Sequence, residues 1–418
     1  MIATGIYNAG LQLYQAGVQL AALAGKTKAR RWLEGRRHWE AHMRGAGVGS
    51  GPLIWVHAAS LGEFEQGRPL LEALRAAFPA YKILLTFFSP SGYEVRKDYP
   101  GADYIYYLPL DTPRNARRFL DMAQPALAVF IKYEFWYHYL TALHTRHIPT
   151  LLVSGIFRAN QVFFKGYGGM FRQLLRQLTH IFVQNRVSLE LLQDIGLKNA
   201  SISGDTRFDR VSALLEEKTE LPAIATFAAG QPLMVAGSTW PEDEQLLQQW
   251  WKTRYPGIKL VIAPHEIHGG HLAAITALFP SAVKYSALQT GAPSSDVLII
   301  DNIGMLTALY RYATVAYVGG GFGKDGIHNL LEPAVYSKPV LIGPEFRKYS
   351  EAVELVNLQG AIVVENAAQL RDRMNALLSD PGYYRKTAGT AGNYVAENTG
   401  ATQKILHYIQ EKRFLSNE

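Results

Sequence analysis

The sequence predicts an α/β protein built on two doubly wound parallel sheets, and three observations carry that expectation. Short apolar runs alternate with longer segments of helical period in the first half of the chain, and the same rhythm returns in the second half. Between them, residues 211 to about 230, with Glu216, Glu217, Lys218, Pro222 and Gly230, read as a linker. The third observation is the stretch Val318 to Ala334, in which an apolar run (Val315 to Val318) ends in glycines and is followed by a helix-forming segment.

In the first series the runs are Leu53 to Val56, Ile83 to Phe88, Tyr104 to Leu108, Leu127 to Ile131, Thr150 to Val153 and His180 to Val183. In the second they are Leu233 to Ala236, Lys259 to Ala263, Ala282 to Tyr285, Val297 to Ile300, Val315 to Val318 and Pro339 to Ile342. A chain of 418 residues holds enough apolar material for two cores. Four regions are expected: 1–46, 47–215, 216–400 and a helical tail at 401–418. Two such sheets with a cleft between them suggest the GT-B architecture of nucleotide-sugar glycosyltransferases.

Open α/β sheets bind ligands at the carboxyl ends of their strands, so the loops there are read first. After the first run come His57, Ala58, Ala59, Ser60, Leu61, Gly62 and Glu63. This small-residue loop puts Glu63 at its rim, as a general base or simply as a first-turn carboxylate favoured by the helix dipole. The fourth run leads into Lys132-Tyr133-Glu134-Phe135-Trp136, a second carboxylate at the same edge. Arg158, Phe163, Phe164, Lys165, Tyr167 and Arg172 follow the fifth and mix rings with cations, which suits a phosphorylated lipidic acceptor or an ordinary loop. Arg207 is either a stabiliser of negative charge or the partner of Asp205 or Asp209.

In the second half the glycine loop favours an anion at the following helix start, expected near His328 or Asn329. There Asn329 and Glu332 form a capping box, or Glu332 accepts from ribose hydroxyls. Gly321, Gly323 and Gly326 fit the spacing of a dinucleotide fingerprint, but the loop comes some 300 residues too late for one. His265, His268 and His271 sit at three-residue spacing, with Gly269 and Gly270 expected to interrupt any helix, so a polar loop is preferred to a metal site. The chain has no D-x-D motif for a divalent ion on a diphosphate.

Cysteine is absent, which excludes disulfides, thiolate metal sites and thiol catalysis. The net charge is 42 − 35 = +7 and is unevenly placed. Residues 1 to 24 carry no charged side chain, while Lys26, Lys28, Arg30, Arg31, Arg36, Arg37 and Arg44 follow closely. An uncharged segment of that length with a cationic flank is expected to associate with a membrane, spanning it or lying on it, with the flank in the cytoplasm. The alternative is an amphipathic helix docked on the protein itself.

Trp55 to Glu63, Glu134-Phe135-Trp136 and His328-Asn329-Leu330-Leu331-Glu332-Pro333-Ala334 together resemble the 3-deoxy-D-manno-octulosonic acid (Kdo) transferases of lipopolysaccharide assembly, over Pro52 to about Gly360. The resemblance implies an inverting enzyme moving Kdo from CMP-Kdo to a lipid A precursor at the cytoplasmic face of the inner membrane. Residues 47–215 would then bind acceptor and 216–400 the CMP-sugar. Carried over by position, Glu63 is the general base, and Glu134 and Arg207 stabilise the transition state. The CMP site draws on Pro264, His265, Gly304, Met305, Leu306, Asn329, Leu330, Leu331 and Glu332. Ser60, Gly62, Arg158 and Arg172 are expected on the acceptor.

The resemblance implies no cofactor and no metal, since the donor has a single phosphate, and neither a nucleic-acid nor an obligate protein partner is expected. Two departures stand out: His265 occupies the place of a family arginine after Pro264, and Gly320-Gly321-Phe322 stands where many members have Gly-Gly-Ser-Phe. The alternatives are a GT-B enzyme using a UDP-sugar, as glycosyltransferase or epimerase, and a non-catalytic membrane-bound scaffold.

Overall fold

The structure is a computed structural model describing residues 2–217, 219–288 and 295–416. Met1, Lys218 and residues 417–418, which fall within the expected anchor, linker and tail, lie outside the described residues. The chain forms two compact units, Met1–Arg210 with Thr399–Glu418, and Val211–Asn398.

The first unit contains β1 (Leu53–Ala58), β2 (Lys82–Phe87), β3 (Tyr104–Tyr107), β4 (Leu127–Ile131), β5 (Thr150–Gly155), β6 (His180–Val183) and β7 (Ala200–Ile202). They make one parallel sheet in the order β3-β2-β1-β4-β5-β6-β7. All residues of β1, β4 and β5 are buried, as expected of parallel strands covered on both faces. The period of two sorts the β1 side chains. Leu53 and Trp55 join Phe119, Phe130 and Tyr139 on one face, while Ile54 and Val56 join Phe64, Leu70, Ile405 and Ile409 on the other.

Ile405 and Ile409 belong to the C-terminal helix Ala401–Glu411, so the expected tail is part of this core. Asp209 anchors it, accepting from Gly400 N and Thr402 N at 2.6 Å each. A carboxylate there meets unpaired N–H groups and the positive end of the helix.

The second unit contains β8 (Leu233–Thr239), β9 (Lys259–Pro264), β10 (Val283–Lys284), β11 (Val297–Ile299), β12 (Val315–Val318), β13 (Val340–Ile342) and β14 (Ala361–Val363). Its sheet is also parallel, in the order β10-β11-β9-β8-β12-β13-β14. Each unit repeats the βα pattern read from the sequence. The edge strands β7 and β14 have only three residues each, too few to stand out as apolar runs.

Two sequence expectations are corrected here. Residues 211–230 are not a free linker. Proline opens the helix Pro222–Ala228, which buries Ile224 and Phe227 one turn apart, and Leu221 N donates to the Tyr312 hydroxyl at 2.7 Å. Gly269 and Gly270 do not interrupt a helix either. They open one, Gly269–Leu278, at positions whose N–H groups need no intrahelical partner, and the His268 ring caps it by accepting from His271 N.

The N-terminal segment forms helices Ile2–Leu23, Thr27–Glu34 and Trp39–Gly45. None of the described helices is long and apolar enough to cross a membrane. One side of the first helix docks on the first unit, where Tyr7 donates to Asp111 Oδ2 at 2.6 Å, while Ile6, Leu13, Leu20 and Leu23 stay exposed. Arg36 leaves the cationic flank. Its guanidinium lies over Trp32, Phe88 and Tyr107 and donates to the carbonyls of Leu108, Phe88 and Trp32. Burial pulls it down to about 9.

The glycine loop after β12 is shaped mainly by chain meeting chain. Gly320 adopts φ 92°, and a Cβ on Gly321 would stand 2.6 Å from Gly343 Cα and 2.7 Å from its nitrogen. Backbone cannot yield as a side-chain end does, so Gly321→Ala is expected to cost about 1–3 kcal/mol in denaturant unfolding. An unchanged midpoint would show that the two loops are not packed this closely.

Candidate active site

The strand order of the first sheet reverses between β1 and β4, and the connections leaving those strands diverge there. Both carboxylates singled out in the sequence sit at this point. Glu63 is in the first turn of the helix Leu61–Ala77, its Oε2 accepting from Ser60 N at 3.0 Å and Ser60 Oγ at 3.1 Å. Glu134 follows β4 and is buried, with Oε2 accepting from His57 Nε2 at 3.0 Å and Trp136 Nε1 at 2.5 Å. The helix-dipole role of Glu63 is therefore met, and the residue still takes part in a larger electrostatic cluster.

His57 is the buried member that sequence reading left without a role. Its Nδ1 lies 2.8 Å from Thr86 Oγ1, which accepts from Trp55 Nε1 at 2.8 Å. Nδ1 also lies 3.1 Å from the Thr86 carbonyl oxygen, while Nε2 donates to Glu134, so a hydrogen-bonded network links Trp55, Thr86 and His57 to one carboxylate oxygen. Only the fold could reveal this, because Thr86 reaches β1 from the neighbouring strand β2.

Electrostatics bring the remaining residues together. Burial, and after it the Glu134 carboxylate, raise the Glu63 carboxyl above the ordinary value, against the pull of His57 and the Ser60 hydrogen bonds. Burial raises the Tyr133 phenol; Arg158 and Arg207 pull it down and Glu63 pushes it up, so all three stand near it. Arg207 has Asp205 as its partner, through Nε at 2.8 Å and Nη2 at 2.7 Å to Oδ2, and Gln66 Nε2 donates to Asp205 Oδ1 at 2.8 Å.

Arg172 is used differently, donating to the carbonyls of Phe163, Lys165 and Gly166. Phe157 and Phe163 are buried against Phe135, so most of that aromatic stretch is core, while Tyr167 is 82% exposed. Gly62 is exposed, and a Cβ there would meet no atom within 4 Å. Non-glycine residues with positive φ close β4 (Lys132, 65°), β5 (Ser154, 57°) and β8 (Ser238, 52°), which places backbone strain at the carboxyl edges.

In the second unit the order reverses between β8 and β12. Pro264, His265, Gly304, Met305 and Leu306 line one pocket of about 160 Å³ with Ser238, Ala263 and Asn302. His265 also lines a second pocket, about 330 Å³, with Trp240, Gly320, Gly323, Lys324 and His328. Asp243 fixes the loops between them. Its Oδ2 accepts from Trp240 N and Gly320 N, and its Oδ1 from the Tyr317 hydroxyl.

The helix expected at His328 or Asn329 begins only at Leu331 and is short, Leu331–Ala334. Instead of the reciprocal capping box, Asn329 Oδ1 accepts from Leu331 N at 3.1 Å and its Nδ2 donates to Glu332 Oε1 at 3.2 Å. Leu330 and Leu331 are buried, so backbone is what they can offer a ligand. Gly320 and Gly321 are packed against other backbone, a Cβ on Gly320 meeting Gly326 O at 2.5 Å and one on Gly321 meeting Gly343 Cα at 2.6 Å.

Residues 30–210 match the family model described as 3-Deoxy-D-manno-octulosonic-acid transferase (kdotransferase). The 3-deoxy-D-manno-octulosonic acid transferase of Haemophilus influenzae is 26% identical over 373 residues, 85% of this chain and 86% of the relative. That of Bordetella pertussis is 27% identical over 376 residues, 86% and 87% of the two chains. Over most of its length the chain is similar to 3-deoxy-D-manno-octulosonic acid (Kdo) transferases.

Among solved structures, UDP-GlcNAc 2-epimerase from Neisseria meningitidis bound to UDP-GlcNAc aligns with a TM-score of 0.60 at 15% identity, over 86% of this chain and all of the epimerase. Another UDP-N-acetylglucosamine 2-epimerase gives 0.59 at 11% identity, over 87% and 98%. These likenesses show the fold, which is GT-B.

The raised Glu63 carboxyl gives the protein a pH signature. A base at this position would work only when ionised, so an enzyme using it would have the acid limb of kcat raised as well. Stability runs the other way: a carboxyl raised in the fold stabilises while protonated, at pH below its unfolded value, and that contribution is lost as pH rises through the folded pKa. Glu63→Gln is therefore expected to raise the thermal midpoint at pH 8 and not at pH 4. An unchanged midpoint at pH 8 would contradict a raised Glu63 carboxyl.

Proposed function

We propose that this protein is a Kdo transferase that moves Kdo from CMP-Kdo to a lipid A precursor, with Glu63 as general base. The observation that carries the base assignment is the pairing of two carboxylates at the β1/β4 reversal, one raised by burial and by the other. The acceptor hydroxyl oxygen bonds to the anomeric carbon of Kdo while its proton passes to Glu63. The bond from that carbon to the phosphate oxygen breaks, its electron pair stays with the phosphate, and CMP leaves with one more negative charge. Attack opposite the leaving group inverts the anomeric centre.

Positive charge grows on the sugar ring as that bond breaks. Glu134, supplied with donors by His57 and Trp136, is an anion held in place before the charge appears, so little reorganisation is needed. Arg207, oriented by Asp205, stabilises negative charge. The open position at Gly62 leaves room for the acceptor beside Glu63. The nucleoside of the donor is assigned to the pocket at Pro264, His265 and Gly304–Leu306, with Glu332 on the ribose hydroxyls. The donor has one phosphate, so no divalent ion is assigned to the reaction.

The acceptor is a lipid, and the N-terminal helices offer it a surface. Ile6, Leu13, Leu20 and Leu23 are exposed on the first helix, and a groove of about 500 Å³ beside it is lined by Val18, Ala21, Trp32, Phe88, Lys26 and Lys28. An apolar face with cations at its border suits the cytoplasmic face of the inner membrane.

The test is transfer from CMP-Kdo, generated in situ, to a tetra-acylated lipid A precursor in the presence of EDTA, with products resolved by mass. A gain of one or more Kdo units is expected. Folded protein that gives no product even with metal restored would reject the assignment, and a strict metal requirement would reject the metal-free mechanism.

A further inference from the structure

The three rings at the β8/β12 reversal form a stack that the mechanism above does not use. His265 lies against Trp240 (centroids 4.8 Å, planes 27° apart) and against His328 (4.3 Å, 24°). Trp240 also donates from Nε1 to His328 Nε2 at 2.9 Å. An indole nitrogen can only donate, so Nε2 of His328 must be the bare nitrogen and the ring proton resides on Nδ1. A second proton on Nε2 would face the indole N–H and break that bond. Burial and the neighbouring His265 act in the same sense, pushing His328 down to about 4.

His328 Nδ1–H is thus a neutral donor in a fixed tautomer, and among the described residues no protein group accepts from it. The residue lines the 330 Å³ pocket, whose wall also carries Lys324, Gly320 and Gly323, together with the carboxylates Glu242 and Asp325. His265 is common to this pocket and to the one assigned above to the nucleoside, so the two pockets share a wall at its ring. The backbone of His328 is secured as well, its N–H donating to Gly319 O at 3.1 Å.

We propose that His328 is a donor-binding residue that presents Nδ1–H to the phosphate of the CMP-sugar, with Trp240 as the positioning residue that fixes its tautomer. This rests on the CMP-Kdo reading above. A neutral donor suits a phosphate that must bind and then depart, since it gives direction without the full attraction of a cation.

The test compares CMP with cytidine on the full-length protein by calorimetry, using His328→Gln, His328→Asn and Trp240→Phe. The asparagine amide nitrogen replaces Nδ1, whereas glutamine reaches only the Nε2 position. His328→Gln is expected to weaken CMP about 10- to 100-fold, the range for a hydrogen bond to a charged group, and to leave cytidine within about twofold. His328→Asn should restore most CMP affinity. In ¹⁵N spectra the wild-type ring should show a protonated Nδ1 and a bare Nε2, and Trp240→Phe should lose that preference and weaken CMP more than cytidine.

Equal losses for CMP and cytidine in His328→Gln would reduce His328 to a structural role and overturn the proposal, as would wild-type affinity in that variant. Wild-type protein that binds cytidine but gains nothing from the phosphate would overturn it too. Protein that binds neither nucleoside nor nucleotide would instead strike at the CMP-donor reading on which the proposal stands.

Discussion

In a parallel sheet every strand delivers its carboxyl end to the same edge, and where the strand order reverses the connections leave on opposite faces and cannot cover the gap. Both sheets of this protein obey that constraint, at β1/β4 and at β8/β12. The placement of His57, Glu63 and Glu134 in one unit, and of Trp240, His265 and His328 in the other, follows from it. Loop chemistry alone would not gather them, because β1 and β4 are separated in sequence by two further strands.

A gap lined by polar groups has an energetic cost, and the structure meets it with closely matched donors and acceptors. Asp243 is buried, and it takes hydrogen bonds from two backbone N–H groups and a phenol, which lock three segments together and offset part of its desolvation, although burial still leaves its carboxyl raised. Glu134 has an analogous arrangement in the first unit. Like Asp243, Glu63 is raised, by burial first and then by the Glu134 carboxylate, a tension compatible with proton abstraction and unhelpful to stability.

The central strands and the carboxyl-edge loops were legible in the sequence because parallel strands buried on both faces read as unbroken apolar runs. Glu63 and Glu134 were visible as carboxylates just beyond such runs. The Thr86–His57 link was not, since it depends on the register of β2 beside β1, and no spacing along the chain encodes it. The aromatic stretch around Phe163 was open to two readings for a related reason, as rings that suit a lipid suit a core equally well, and Phe163 is core. Arg36 was counted as a surface cation although three rings and three carbonyls enclose it. Gly321 points the same way: its close neighbour Gly343 belongs to the loop after another strand, so a glycine motif read as a ligand cradle is partly a packing device.

The most direct measurement separates chemistry from nucleotide binding: single-turnover Kdo transfer by Glu63→Ala, with the affinity of the same variant for CMP measured in parallel. A lost general base should lower the transfer rate roughly 10²- to 10⁴-fold while CMP affinity stays near wild type. A near-normal transfer rate would contradict the account, and so would a rate loss matched by an equal loss of CMP binding, because the carboxylate would then serve the fold or the donor rather than the acceptor hydroxyl.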